Sequence, residues 1–384
     1  MRIAYVCADP GIPAFGAKGA SVHIQEMLRA LLARCTELVF LSPRLADPVP
    51  ADLAAVQCIA LPAAPKGAAA TRERRLLATN TSVARLLDSL APLDLVYERH
   101  ALFAHGAMEW ALAHDVPSVL EVNAPLLAEQ ARHRTLALPA EAQASTRRAM
   151  VAARAVSAVT SEVANYARDH GARRVHVIAN AVNPDRFPPH EQPAEPFTVG
   201  FLGTLKPWHD VPTLIDAFAR LRARHNATAR LLLVGDGPER SSLEARLAAH
   251  DLTAAAEFTG AVMPAEVPGQ LARMHAAVVP YSATAQPFYF SPLKLYEYMA
   301  AARPVVASRV GHLAEIVAHG RTGLLCAPDD PADMARALAR LNADADLRAR
   351  LGATARRQVV RQHNWHDVAG QVLEIAGLTP VHVP

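Results

Sequence analysis

Three features of the 384-residue sequence predict an α/β fold built on two parallel, doubly wound sheets. Short apolar runs alternate with helical patterns along the whole chain, a proline-rich passage divides it near the middle, and the alternation restarts beyond that passage. The length exceeds one ordinary domain and suits two of about 150–200 residues. A hydrophobic content of 51% with 20% charged residues is globular and excludes wholesale disorder.

In order, Ile3–Cys7 reads as a first buried strand. A helix follows over Ser21–Ala33, with Ile24, Met27, Leu28, Leu31 and Leu32 on one face and Ser21 as its N-cap. Further strands are predicted at Glu37–Leu41, Leu93–Tyr97, Ser118–Val122, Ala155–Thr160 and Val175–Ile178. Pro43–Arg75 and Pro125–Arg148 break the rhythm and read as irregular, substrate-facing insertions. Pro184, Pro188, Pro189, Pro193 and Pro196 mark a stiff linker. Beyond it come strands at Thr198–Leu202, Arg230–Val234, Ala256–Thr259, Ala276–Pro280 and Val305–Ser308. Helices are predicted at Pro212–Arg224, Ser241–Ala249 and Pro292–Ala302, and the remainder is expected to be mostly helical. The expected division is an N-terminal domain over residues 1–180, a linker over 181–196 and a C-terminal domain over 197–360. Residues 361–384, around Trp365, should form an amphipathic helix that packs back across the domain junction.

Charge narrows the function classes. Before His190 there are 20 basic and 17 acidic residues, and from His190 onward 19 and 19. Neither half carries the field of a phosphate-backbone binder, so nucleic acid is not the expected partner. Cys7, Cys35, Cys58 and Cys326 are scattered, without ligand spacing, which argues against structural zinc and a disulfide framework. No targeting segment or apolar run of about 20 residues is visible, so a cytoplasmic location is expected, with peripheral membrane contact left open.

Parallel sheets place ligands at the carboxyl ends of their strands. The loop after the first strand, PGIPAFGAKGAS, has Gly16 and Gly19 for close backbone approach and a helix N-terminus beyond. Its departure from G-x-G-x-x-G leaves open a glycine-rich turn needed only for geometry. Ser291-Pro292-Leu293-Lys294 carries more information. Ser at N-cap and Pro at N1 predict a helix start. A Lys in that first turn opposes the helix dipole, a conflict that a bound anion would resolve. Glu297 lies three residues on and about 9 Å along the axis from Ser291, roughly the distance from a diphosphate to its ribose. A plain surface Lys–Glu pair is the alternative.

Lysine usage points the same way. The chain has four lysines and 35 arginines, and Lys18, Lys206 and Lys294 fall in candidate ligand loops, with Lys66 elsewhere. A compact ammonium suits phosphate. Lys206 stands in FLGTLKPWHD, where Gly203 and His209 complete a strand-end loop. Gly235-Asp236-Gly237-Pro238 reads as a structural turn. In the first half, Tyr97, Glu98, Arg99 and His100 sit at one strand end, and Glu121 and Asn123 at another. The remaining histidines, His105, His114 and His133 among them, read as surface residues.

In combination and order, these segments resemble the retaining glycosyltransferase family 4, with its GT-B fold of two Rossmann-like domains facing each other across a cleft. The second half is similar through VIANAVNPDRF, GFLGTLKPWHDVPTLIDAF, LLLVGDGPE, EFTGAV, FSPLKLYEYMAAARPVVASRVGHLAEIV and GRTGLLCAPDDPADMARAL. The first half is similar through KGASVHIQE, VYERHALF and LEVNAP. The resemblance implies that Glu297 binds the donor ribose. It gives the diphosphate to Lys206, to Lys294 and to the amides about Ser291, Pro292 and Leu293, with Gly203 and His209 in the same loop and Gly19 approaching from the other domain. His100, Arg99, Asn123 and Tyr289 would lie by the sugar and acceptor, and Val262 by the nucleobase. The sequence departs from the family at Tyr289, where a glutamate is usual eight residues before Glu297, and at Thr204 and His209, where Arg and Lys are usual. Lys18-Gly19 replaces Gly-Gly.

The resemblance implies transfer of a hexose-type sugar from a nucleoside diphosphate donor to an acceptor hydroxyl, with retention, no protein nucleophile, no cofactor and no metal. A nucleotide-sugar epimerase and a non-catalytic sugar-nucleotide-binding protein are the alternatives, the latter motivated by Tyr289.

Overall fold

Among the described residues every strand–strand pairing is parallel. The computed structural model describes residues 1–45, 48–63, 67–133, 135–191, 193–283 and 288–379. Lys66, Gln192 in the proline-rich passage and the segment 284–287 lie outside the described residues, as does the His133 side chain. The chain divides into two units. The first comprises residues 1–179, 289–291 and 365–384, the second 180–288 and 292–364.

The first unit runs β1 (Arg2–Cys7), α1 (Gly19–Leu32), β2 (Glu37–Ser42), β3 (Gln57–Ala60), α2 (Ala69–Leu90), β4 (Leu95–Arg99) and α3 (Gly106–Ala113). It continues with β5 (Ser118–Val122), α4 (Leu126–His133), α5 (Pro139–Ala152), β6 (Ala155–Ala158), α6 (Ser161–Asp169) and β7 (Val175–Val177). The sheet order is β3-β2-β1-β4-β5-β6-β7. Its central strands are buried along nearly their whole length, as in parallel sheets covered on both faces. Ile24, Met27, Leu28 and Leu31 of α1 are all buried, the i, i+3, i+4, i+7 stripe of an amphipathic helix. Val83 and Leu87 of α2 join Met108 of α3, Met150 of α5 and Val6, Val96 and Leu120 of the strands in one apolar cluster.

Several expectations need correction here. α1 begins at Gly19, and the N-cap position is Lys18, without a side-chain cap, so Ser21 is inside the helix. Pro43–Arg75 holds β3 and the start of α2, and Pro125–Arg148 holds α4 and most of α5; neither is an irregular insertion. The helices escape an apolar-pattern reading because α5 buries Ala142, Ser145, Thr146, Ala149 and Met150. That is a regular helical stripe in small and hydroxyl residues. β4 starts and ends two residues later than expected, which brings Arg99 into the strand.

The second unit runs β8 (Thr198–Leu202), α7 (Val211–Arg224), β9 (Arg230–Val234), α8 (Arg240–Ala249), β10 (Ala256–Gly260), α9 (Val267–Ala272), β11 (Ala276–Val279) and α10 (Leu293–Ala300). It continues with β12 (Val305–Ser308), α11 (Gly311–Ile316), β13 (Leu324–Cys326), α12 (Pro331–Ala343) and α13 (Ala345–Gln362). The sheet order is β10-β9-β8-β11-β12-β13. β13 interrupts the region expected to be helical. α10 begins at Leu293 with Pro292 at the N-cap, one residue later than predicted, and Ser291 is no cap. α12 and α13 are capped by Asp330 and Asp344, whose carboxylates accept from free amides of the first turn. In the proline-rich passage, backbone carbonyls are held by two arginines of this unit. Arg303 donates to His190 and, at 3.1 Å, to Glu191, and Arg356 donates to Phe187.

A last helix, α14 (Trp365–Ala376), belongs to the first unit. It packs against α1 and over β5 and β6. The Trp365 ring meets His23 edge-on at 4.8 Å, and Arg34 donates to the His366 carbonyl at 3.0 Å.

Candidate active site

In each sheet the strand order turns about at one point, between β1 and β4 in the first unit and between β8 and β11 in the second. Such switch points leave a crevice at the carboxyl ends of the strands, where successive connections depart in opposite directions. The predicted site residues of each unit collect mainly at these ends.

In the second unit, α10 brings Lys294 to the switch point. The position of the helix is set partly by Tyr298, whose hydroxyl accepts from the Leu202 amide at 2.6 Å at the end of β8. The Lys294 Nζ lies 4.2 Å from the centre of the Phe201 ring of β8 and 5.8 Å from that of Tyr281, just beyond β11. It is buried and has no hydrogen-bond partner among the described residues. Two aromatic faces offer cation–π attraction, but they do not replace the hydrogen bonds of water. Burial accordingly lowers the Lys294 pKa to about 7, against the opposing pull of the Glu297 carboxylate one turn further along α10.

The loop after β8 completes this end. Gly203 has φ +144°, and a Cβ there would lie 2.7 Å from Lys294 Nζ. Gly235, at the end of β9, has φ +134°, and a Cβ there would sit 2.1 Å from the Gly203 carbonyl. Both glycines are therefore needed for backbone approach as well as for conformation, which is the physical content of the turn predicted over residues 235–238. His209 Nδ1 meets the Thr204 carbonyl at 2.5 Å, so Nδ1 carries the proton. The imidazole touches the same two rings as Lys294, at 5.7 Å from Phe201 and 5.4 Å from Tyr281. Burial, the Lys294 ammonium and Lys206 outweigh the bond to Thr204 and push its pKa well below the usual range. Lys206 Nζ lies 5.6 Å from the Trp208 ring in that loop. Val262 follows β10, the outermost strand, two places from β8.

In the first unit the strand-end carboxylate Glu121 is a hub. It accepts from Tyr97 Oη at 2.6 Å, from Asn123 Nδ2 at 2.8 Å and from Arg99 Nη1 at 3.2 Å. His23 Nε2, from α1, is 3.1 Å away, and its Nδ1 is 3.2 Å from Arg99. Burial opposes ionisation, but His23, Arg99 and Tyr97 outweigh it and hold Glu121 down to about 2. β4 also carries Glu98, followed by His100. Both are buried, and neither carboxylate oxygen of Glu98 nor either ring nitrogen of His100 has a partner among the described residues. Burial raises Glu98 to about 8 and lowers His100 to about 4. Gly19 opens α1, and nothing lies within 4 Å of where its Cβ would be. Among the described residues no group of three metal-ligating side chains occurs.

Two family descriptions match the chain: Glycosyltransferase Family 4 over residues 17–186, and Glycosyl transferases group 1 over residues 196–344. The glycogen synthase of Mycobacterium tuberculosis is 30% identical over 290 residues, which span 73% of this chain and 68% of that protein. The chain belongs to glycosyltransferase family 4. A D-inositol 3-phosphate glycosyltransferase of Stackebrandtia nassauensis is 32% identical over 218 residues, covering 53% of this chain and 48% of that one. Among solved structures, sucrose-phosphate synthase from Thermosynechococcus elongatus superposes with a TM-score of 0.75 at 20% identity, over 98% of each chain. Anabaena HepE in complex with UDP does so with 0.71 at 20%, over 98% of this chain and 100% of that one. These likenesses show the fold, the two parallel-sheet domains of the GT-B class.

The glycosyltransferase thus brings Lys294, Gly203 and His209 together in its second unit, with Glu297 one turn away. It gathers Arg99 and Asn123 on Glu121 in its first. Tyr289 does not share the surroundings of Lys294. Its hydroxyl donates to Glu129 of α4, its carbonyl accepts from Thr160 at 3.3 Å, and its ring packs on the first unit's apolar cluster. Ser291 is likewise counted with the first unit. The surface assignment of the other histidines fails for His105, which is buried with Nδ1 2.7 Å from Ser145 Oγ, and for His23, His275 and His312. His23, 3.1 Å from Glu121, is the residue of this cluster that the sequence reading missed. It sits beside the apolar stripe of α1, and only the tertiary fold brings it to Glu121.

Proposed function

We propose that this glycosyltransferase moves a hexose-type sugar from a nucleoside diphosphate donor to an acceptor hydroxyl, with retention at the anomeric carbon. The observation that carries the reading is the buried Lys294 ammonium, held at a strand-end crevice without a hydrogen-bond partner among the described residues. An anion is the ligand that would offset its desolvation. Departure of the nucleoside diphosphate leaves negative charge on phosphate oxygens, and a cation fixed in a low-dielectric site stabilises it strongly. Lys206 and the N-terminus of α10 supply further positive potential. Glu297 is assigned to the ribose and Val262 to the base. Of the first unit's residues, Gly19 is assigned to the diphosphate, and Arg99, His100 and Asn123 to sugar and acceptor.

Retention fits surroundings of this composition. In the proposed reaction the outgoing phosphate takes the acceptor proton, and the rings of Phe201 and Tyr281 hold Lys294 and His209 beside it. Neutralisation by lysine gives the reaction no requirement for a metal or other cofactor. That HepE was solved with UDP and with UDP-glucose favours a nucleotide-sugar donor here by analogy. No helix among the described residues is long and apolar enough to cross a membrane, and a cytoplasmic location accords with such a donor.

The test is a panel of UDP-, ADP-, GDP- and dTDP-sugars scored by thermal shift, followed by product analysis with and without EDTA. Stabilisation by one donor class and an α-linked product from an α-linked donor, with EDTA present, is the expected result. Isomerised donor in the absence of acceptor would show an epimerase. Binding with neither transfer nor hydrolysis would show a non-catalytic binder.

A further inference from the structure

His209 and Lys294 flank the same pair of rings, Phe201 and Tyr281, at the end of the second sheet. Each can carry a proton, and each is held in surroundings that oppose its charge. The Lys294 ammonium is buried without a hydrogen-bond partner among the described residues, and the imidazole is tied through Nδ1–H to the Thr204 carbonyl. That bond fixes the tautomer and the ring plane. It leaves Nε2 as the remaining acceptor of the neutral ring, the atom at which a second proton would bind.

The charged groups about this pair have mixed sign. Lys294 comes from α10, with Glu297 one turn beyond it; Lys206 belongs to the His209 loop, where Asp210 follows; and Tyr281 lies just beyond β11. Lys294 and Lys206 both disfavour a proton on His209. In the free protein, a proton on His209 is therefore opposed by burial and by two neighbouring cations. A diphosphate changes the balance, because two negative charges placed by Lys294 reward a cation at each neighbouring position.

We propose that His209 takes up a proton at Nε2 when the donor diphosphate binds, so that the occupied site carries an imidazolium beside the Lys294 ammonium. This deepens the proposed function and rests on its placement of the diphosphate at Lys294. The proton comes from solvent, Nδ1–H stays on Thr204, and Nε2–H donates to a phosphate oxygen. The imidazolium then stands as a second fixed cation against the charge that grows as the sugar–phosphate bond breaks.

Linkage gives the sign. A group protonated in the complex and neutral in the free protein makes affinity fall as pH rises, by up to about tenfold per pH unit between its two pKa values. UDP-glucose is the first probe, since its phosphates do not titrate between pH 5 and 8; if it does not bind, the best donor of the panel replaces it. Calorimetry in buffers of different ionisation enthalpy should show proton uptake at pH 6, where Lys294 is already mostly charged. The ring resonances of His209 should move to imidazolium positions in the complex alone. His209→Gln should abolish the uptake at pH 6 and the acid-side slope while keeping the slope above pH 7 that belongs to Lys294. His209→Lys should bind the donor without proton uptake at pH 6. Tight binding with a neutral His209 ring, or unchanged uptake in His209→Gln, would overturn this inference and leave the donor assignment standing. Failure of every donor in the panel to bind at any pH would overturn both.

Discussion

The Lys294 ammonium stands 2.7 Å from the point where a side chain on Gly203 would begin. A methyl group there meets the cation directly, and the backbone at φ +144° disfavours any L side chain, at a cost on the order of 1–3 kcal/mol. Gly203→Ala should therefore lower stability by about that amount in urea unfolding. It should also cut donor turnover at least tenfold, because Lys294 must move. Wild-type kinetics in Gly203→Ala would show that Lys294 does not act where it is found.

Lys294 itself should set stability against function. Its pKa in the folded protein, about 7, is below the value of about 10.4 in an unfolded chain. The fold thus favours the neutral amine, and the penalty for carrying charge is absent at high pH and grows as pH falls from about 10 to 7. Lys294→Met should melt higher than the parent at pH 6, by several degrees, while losing 100-fold or more in turnover. A lower melting temperature with retained turnover would be the opposite of this expectation.

Glu98 offers the same test with inverted sign. Its folded pKa is raised to about 8 by burial, above the unfolded value of about 4.3. Its neutral form is favoured in the fold, so the penalty is absent below about pH 4 and grows up to pH 8 as the unfolded chain gains the ionised state. Glu98→Gln should be more stable than the parent at pH 8, on the order of 1–3 kcal/mol, and nearly equal to it at pH 4. Chemical denaturation at the two pH values measures this.

Glu121 behaves in the ordinary carboxylate sense. Its folded pKa, about 2, lies below the unfolded value, so its contribution is full above about pH 4.5 and is lost as pH falls toward 2. Glu121→Ala leaves Arg99 buried without its carboxylate and should cost about 3–5 kcal/mol at pH 7. The loss relative to the parent should shrink on acidification to pH 3.

Much of this was legible in the sequence. Strand positions followed from short apolar runs, and Lys294 stood out because a cation in the first turn of a helix makes no local sense. What stayed hidden had physical reasons. α2 buries Glu73 and Thr79 along with Val83, Leu87 and Leu90, so polar residues interrupt its stripe. Glu73 is there because its carboxylate accepts from the amides of Ala137 and Leu138, just before α5. Nothing local in the sequence announces a bond across 64 positions. His23 and Glu121 were separately visible as residues, but only the tertiary fold brings them to 3.1 Å. Tyr289 was read as part of the Lys294 segment because they are five residues apart, yet its side chain is engaged by Glu129 on α4.

The placement of α14 bears on how the chain acquires its shape during synthesis. Trp365 closes over His23, and Arg34 near the start of the chain waits for the His366 carbonyl. On the ribosome, the early sheet can form while α1 still exposes the apolar surface that α14 will cover. The second unit must be made, and can fold, in the interval. Chain termination just after residue 364 would release a protein with a finished second unit and an unsealed first one, a natural substrate for chaperones.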